Sequence, residues 1–312
     1  MSPENPLSAT EISRRRFLRH TAWAGAAVMV SVTGGVVTTE VLRNRHQVAP
    51  GVDFHFAQIS DSHIGFQGAA NADVTATFQQ AIDKINSLPD RPDFVIHTGD
   101  LTHFTTPAQL DQVKQMLGGL KTGQVLTIPG EHDSTDDTGE KYRAVFGAGS
   151  QGNGWYSFDQ KGVHFISVVN TIGLQQLGHL GDDQLTFIRN DLKNQSSETP
   201  IVVFSHIPLF DMYAPWGWGT DDAPEVLSLL KRFGSATCIN GHVHQIVTKT
   251  EGNVTFHTAA GTAYPLPQAG AGNAPAPKPV TLPPGQMHAA LGVREIHHLR
   301  GNARLAVTES TF

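Results

Sequence analysis

Apolar residues in the first half of the chain recur alternately at strand and helix spacing. "DFHFAQIS" (53–60) alternates, with Phe54 and Phe56 on one face, and predicts a strand. "VTATFQQAIDKINSL" (74–88) predicts a helix, and "DFVIHTGD" (93–100) a short buried strand ending at Gly99-Asp100. Thr106 then has the features of an N-cap, with Pro107 at the first helical position and Gln109 at the third. Leu110, Val113, Leu117 and Leu120 give that helix an apolar stripe, and "QVLTI" (124–128) is the next strand. Strand and helix alternating in this way is the pattern of a parallel α/β sheet.

Past residue 150 the pattern changes. "WYSFDQKGVHFISVVN" (155–170) predicts a β-hairpin turning near Gln160-Lys161-Gly162. A helix follows in "DDQLTFIRNDL" (182–192), then a buried strand and loop in "PIVVFSHIP" (200–208). Asp222, Pro224 and Glu225 start a helix that runs to Phe233. "ATCINGHVHQ" (236–245) is a strand with its terminal turn, and "VTFHTAAG" and "VREIHHL" are late strands. Between these two, residues 264–290 are rich in Pro, Ala and Gly and predict a long flexible loop. There are no repeats, and residues 50–312 are expected to form one domain.

Composition sharpens this picture at three points. The single cysteine, Cys238, excludes an intrachain disulfide and sits in a strand expected to be core. The N-terminal segment "SRRRFLRHTAWAGAAVMVSVTGGVV" (13–37) places arginines before a mildly apolar run, the layout of an export signal. Ser13-Arg14-Arg15-Arg16-Phe17-Leu18-Arg19 resembles the twin-arginine signal S-R-R-x-F-L-K, which implies export in the folded state by the twin-arginine machinery and a periplasmic or other extracytoplasmic location. Residues 1–48 are therefore expected to be a signal peptide or signal anchor, and residues 21–39 are about long enough to anchor the chain in a membrane. Residues 1–48 hold six of the 22 basic and three of the 28 acidic residues, leaving 16 against 25, a net of −9. Such a body argues against a nucleic-acid partner.

The candidate chemistry collects just past the ends of apolar strands. Asp61 and His63 follow "FAQIS", Asp100 follows "FVIHTG", and Glu131 and His132 follow "VLTIPG"; His206 follows "IVVFS", and His242 and His244 follow "TCING". The carboxyl ends of strands form the ligand crevice of open α/β sheets. Five strand ends thus aim carboxylates and imidazoles, both metal ligands, at one place. His55 and His164 alternate with apolar neighbours and read as structural, His97 lies within a strand, and His297 and His298 read as incidental. His257 follows a strand and is a candidate to approach the site. "YAPWGWG" (213–219) is either an aromatic wall for substrate or a packed loop.

The blocks "DSH" (61–63), "GD" (99–100), "GEHD" (130–133), "SHIP" (205–208) and "GHVH" (241–244) resemble, in order, the pattern of the calcineurin-like metallophosphoesterases. The resemblance implies a four-layer α/β/β/α sandwich of two mixed β-sheets with two metals at the strand ends. Asp61, His63 and His244 would hold one metal, Asp100 would bridge both, and Glu131, His206 and His242 would hold the second. The ions would be divalent or mixed-valence (Fe, Mn or Zn), and a hydroxide bridging them would attack the phosphorus of a small phosphorylated substrate, a monoester or a diester. His132 would assist at the leaving oxygen and Asp133 would orient it. The sequence departs from the family at two places. Residue 131 is Asn in the family, so Glu131 adds a third anionic ligand. His103, in "GDLTH", is a candidate for an extra ligand, an outer partner of a ligand, or a substrate contact. These departures support an alternative function: a non-hydrolytic periplasmic metal-binding, redox or assembly protein on the same fold.

Overall fold

The computed structural model describes residues 26–33, 36–43, 52–174, 176–299 and 305–312. Residues 13–19, with the twin-arginine pattern, lie outside them. Two strands, β1 (Ala26–Thr33) and β2 (Val36–Arg43), pair antiparallel. No helix among the described residues is long and apolar enough to cross a membrane.

Two sheets make the body. The first joins β3 (Val52–Ile59), β4 (Phe94–His97), β5 (Val125–Thr127), β12 (Gly292–Leu299) and β13 (Leu305–Thr311) in the order β13-β12-β3-β4-β5. The second joins β6 (Tyr156–Gln160), β7 (Val163–Ser167), β8 (Ile201–Phe204), β9 (Ala236–Asn240), β10 (Val247–Glu251) and β11 (Val254–Thr258) in the order β10-β11-β9-β8-β7-β6. Strand alternation sends each sheet's side chains to two different cores. Phe54, Phe56, Phe94 and Ile96 meet Phe165, Val202, Phe204 and Ile239 between the sheets. Ala57, Ile59 and Val95 point the other way, against α1 (Val74–Asn86) and α2 (Pro107–Leu117). Ile166, Val203 and Cys238 do the same against α4 (Asp182–Leu192) and α5 (Ala223–Leu230). The result is the α/β/β/α sandwich, with the buried Cys238 thiol pushed up to about 12 by desolvation.

The local signals act as expected where they have a specific mechanism. The Thr106 side chain accepts from the Gln109 N–H, and Pro107 occupies the first turn. Lys161 and Gly162, with φ of 45° and 83°, form the two-residue turn between β6 and β7. His164, on β7, is structural: it lies between Asp159 and Asp191, at 2.8 and 2.7 Å. Both sheets are mixed rather than parallel, because β12 runs antiparallel to β3 and because β6, β10 and β13 add antiparallel edges. β10, β13 and the short helix α3 (Glu140–Phe146) are half-exposed and polar, so no clear periodicity marks them. The helix expected to reach Phe233 stops at Leu230.

Segment 264–290, which also holds the short helix α6 (Met287–Ala290), is tied to the body. Trp216 Nε1 donates to Ala274 O at 2.8 Å and Gln245 Nε2 to Pro267 O at 2.6 Å, while Val280 N closes the segment on itself at Pro265 O, 2.9 Å away.

Candidate metal centre

The chain turns sharply as it leaves β3, β4 and β9. Asp61, His63, Asp100, His242 and His244 all have positive φ, from 41° to 68°. Left-handed backbone at non-glycine residues costs about 1–3 kcal/mol each and persists only where the surroundings enforce it. Here the turns after β3 and β4 are zipped together: Asp61 N donates to Gly99 O at 3.0 Å and His63 N to Asp100 O at 2.9 Å. The glycines of the three motifs make room for this crowding. A Cβ on Gly99 would sit 2.3 Å from His206 Nδ1, one on Gly130 2.0 Å from Asp100 Oδ1, and one on Gly241 2.0 Å from Ser60 Oγ. Gly261 serves the same end: a Cβ there would sit 2.9 Å from His244 Nδ1.

These turns bring all seven expected ligands together. Asp61, His63 and His244 form one group and Glu131, His206 and His242 another; within each, one donor atom per residue lies within 4.8 Å of the others. Asp100 stands between them, its Oδ2 3.5 Å from both His63 Nε2 and His206 Nε2. Glu131 reaches His206 Nε2 with one oxygen and His242 Nδ1 with the other, each at 2.9 Å. Yet Glu131 Oε2, His206 Nε2 and both ring nitrogens of His242 lack aligned hydrogen-bond partners, as does Asp61 Oδ2. Buried polar atoms that converge without bonding one another are costly unless a cation satisfies them. Carboxylate and imidazole donors, with no sulfur, suit Zn, Mn or Fe.

Outer hydrogen bonds orient the imidazoles. His206 Nδ1 faces Thr98 O at 2.7 Å and His244 Nδ1 faces Tyr264 O at 2.6 Å, which leaves each Nε2 turned inward. His63 Nδ1 faces His103 Nδ1 at 3.3 Å. This contact suits an outer partner, while His103 also converges with His63 and His132 and lines the cavity above the cluster, so ligand and substrate contact stay open to it. Burial, then His132 and His244, push His63 well below the usual histidine range. Burial works against charge on His206, but Asp100 and Glu131 outweigh it and raise that group well above its ordinary value.

The structure corrects the expected role of Asp133. Its carboxylate accepts from the N–H groups of Leu101, Thr102 and Gly130, each at 2.9 Å, and from the Thr102 hydroxyl at 2.8 Å. Burial, then Asp100, push it up to about 6 in spite of these donors. Asp133 therefore holds the loops together, and it is the His103 carbonyl, 2.9 Å from His132 Nδ1, that orients His132. His257 does not join the cluster either: it is buried within β11, 3.2 Å from Thr248 Oγ1, and desolvation and then Arg294 depress it to about 3.

Four of the donors, His63, Glu131, His242 and His244, floor with His103 and His132 a cavity of about 440 Å³, walled by Phe66, Trp216, Trp218, Tyr264, Leu266, Pro277 and Pro279. Tyr264 stacks on both His63 and His244, with ring centroids 4.9 Å apart in each case. No motif in the sequence points to Tyr264. A larger cavity, about 660 Å³, lies beside β5 and β6, but no histidine lines it.

A two-sheet sandwich with carboxylates and imidazoles on five strand ends defines a class of metal-dependent phosphoester hydrolase. The chain belongs to the calcineurin-like phosphoesterase family, whose sequence pattern matches residues 54–246. A glycerophosphodiester phosphodiesterase of Enterobacter lignolyticus is 26% identical over 224 residues, 68% of this chain and 78% of the relative. A probable cyclic nucleotide phosphodiesterase of a Psychrobacter species is 25% identical over 200 residues, 61% of this chain and 57% of the relative. A dimetal phosphatase from Danio rerio shares the fold at 15% identity, with a TM-score of 0.55 over 82% of this chain and 98% of that one.

Proposed function

We propose that the protein is an exported binuclear metal-dependent hydrolase of phosphodiesters. Asp100 carries this reading: one carboxylate oxygen lies at equal distance, 3.5 Å, from a histidine of each ligand group. Asp61, His63 and His244 complete one site; Glu131, His206 and His242 complete the other. Ions bound there supply Lewis acidity toward phosphoryl oxygens and lower the pKa of water. His103 and the carbonyls of Thr98 and Tyr264 fix the imidazoles, and His132 presents its free Nε2 to the cavity as a proton donor for the leaving oxygen.

Charge favours a diester. Asp61, Asp100 and Glu131 place three carboxylates around the ions, where the family pattern has two. A singly charged diester suffers less repulsion than a doubly charged monoester. Metal-loaded protein is expected to prefer bis(4-nitrophenyl) phosphate over 4-nitrophenyl phosphate. Glu131→Asn should shift the kcat/KM ratio toward the monoester by about tenfold, the effect of about 1.4 kcal/mol of relieved repulsion. Two bound ions with no turnover of any phosphoester would instead support the non-hydrolytic reading, which the extra carboxylate motivates. In that case, strong activity gained by Glu131→Asn would show that the native residue had abandoned the chemistry.

Export rests on residues 13–19. The full chain expressed in a bacterium with a twin-arginine pathway should reach the periplasm, and Arg14→Lys with Arg15→Lys should hold it in the cytoplasm. Periplasmic accumulation of the double variant would refute the route. Membrane fractionation of the exported protein tests whether residues 21–39 remain as an anchor.

A further inference from the structure

The cavity above the metal ligands has an unusual wall. Its lining contains no Ser, Thr, Asn, Gln, Lys or Arg among the described residues. Apart from the histidines and Glu131 on the floor, it consists of Phe66, Trp216, Trp218, Tyr264, Leu266, Pro277 and Pro279. Lys278, between the two prolines, is exposed and does not line the cavity. Phe104, at 62% the one large apolar side chain exposed among the described residues, stands against His103, with ring centroids 4.5 Å apart.

The wall is also fixed. Trp218 is fully buried and meets Trp216 edge to face, with centroids 5.1 Å apart. Trp216 in turn donates its indole N–H to Ala274 O, which pins the Pro/Ala/Gly-rich segment so that Pro277 and Pro279 face the cavity. Tyr264 packs against Phe66, with centroids 4.5 Å apart. A polyol entering this space would find few side-chain partners away from the floor, the Tyr264 hydroxyl foremost, and a second phosphate would meet Glu131 and no Lys or Arg. Desolvating such groups without partners is costly, whereas a flat apolar group gains by being covered. The volume, about 440 Å³, is within the range of pockets that enclose a small organic ligand.

We propose that this wall is a subsite for an uncharged, flat apolar ester group, and that Trp216 and the segment it pins set the specificity for aryl-type phosphodiesters. This rests on the phosphodiesterase reading for the reaction, but the subsite can be tested without turnover. Three methylphosphinates serve as probes: the benzyl, 3,4-dihydroxybutyl and 3-trimethylammoniopropyl compounds. All carry one phosphorus-borne negative charge and hold both organic groups through P–C bonds, with no ester oxygen, so none can be hydrolysed. Their affinities are measured by calorimetry on the metal-loaded full chain. Covering one face of a phenyl ring, on the order of 60 Å², corresponds to about tenfold in affinity, so the benzyl compound should bind at least about tenfold tighter than the dihydroxybutyl one. Trp216→Ala should bring that ratio to within about twofold, while Trp216→Phe keeps most of it. If Trp216→Ala does not fold, Phe66→Ser and Leu266→Gln carry the same expectation. Equal or tighter binding of the dihydroxybutyl compound would overturn the proposal, as would tightest binding of the trimethylammonio compound, which would make the wall a cation cage. Benzyl selectivity without turnover of any diester would leave the subsite standing and refute the reaction; turnover without benzyl selectivity would do the reverse.

Discussion

Asp100→Ala is expected to strip most of the bound metal and to lower phosphodiester turnover at least about a thousandfold, since it removes ion-held electrostatic stabilisation from the centre as a whole. Asp100 Oδ2 lies between His63 and His206, while Oδ1 accepts the His132 N–H at 3.0 Å. One truncation therefore loosens both ligand groups and the loop that carries His132. Alanine has a further defect, because φ at residue 100 is 52° and this conformation is tolerated better by Asn and Asp than by residues lacking their short polar side chain. Asp100→Asn is the cleaner variant: it keeps the shape and an acceptor for His132 N but loses the charge. Both variants should fail to retain ions through dialysis, as read by elemental analysis. Full metal content and activity in Asp100→Asn would refute the bridging role.

What the sequence reveals about this centre follows a physical division. Ligands just past apolar strands are legible, since strand ends converge whatever the details of packing. That is why Asp61, His63, Asp100, Glu131, His206, His242 and His244 meet as expected. The groups that orient them are not legible. Thr98 and Tyr264 act through backbone carbonyls, which carry no signature of side-chain type, and His244 reaches Tyr264 across 20 residues of sequence. Asp133 shows the opposite error. Adjacency to His132 suggests a pair, but consecutive residues in a turn point in different directions, and the carboxylate goes to three N–H groups instead. The fold divides in the same way. Buried strands and capped helices announce themselves, whereas the half-exposed edges β10 and β13 are fixed only by their neighbours. The segment at 264–290 looks like a linker by composition; it becomes a cavity wall because Trp216 supplies a donor that its carbonyls lack.

His132→Ala is expected to slow hydrolysis by about 10²–10³-fold for a diester with an alkyl leaving group but only about tenfold for 4-nitrophenolate, because general-acid help matters most when the leaving oxygen is basic. The imidazole is held on three sides. Its Nδ1 faces the His103 carbonyl at 2.9 Å, its ring stacks on that of His103 with centroids 4.6 Å apart, and the edge-on contact with His63 is 4.7 Å. Nδ1–H is thus committed as a donor to a backbone oxygen, and Nε2 is the nitrogen left for the substrate. Burial disfavours charge on this ring, but Asp100 and Glu131 outweigh burial and raise it above the ordinary histidine value. A hydrogen bond to a non-bridging phosphate oxygen would use the same geometry, and leaving-group dependence separates the two. If His132 donates a proton, His132→Gln, which can bond but not transfer, should fail with alkyl esters as alanine does. If it merely binds phosphate, the loss should be equal for both leaving groups and glutamine should restore much of it. Metal content should match the wild type in both variants, since neither ligand group depends on the His132 ring for its donors; a variant that lost its ions would move His132 from proton transfer into the metal shell.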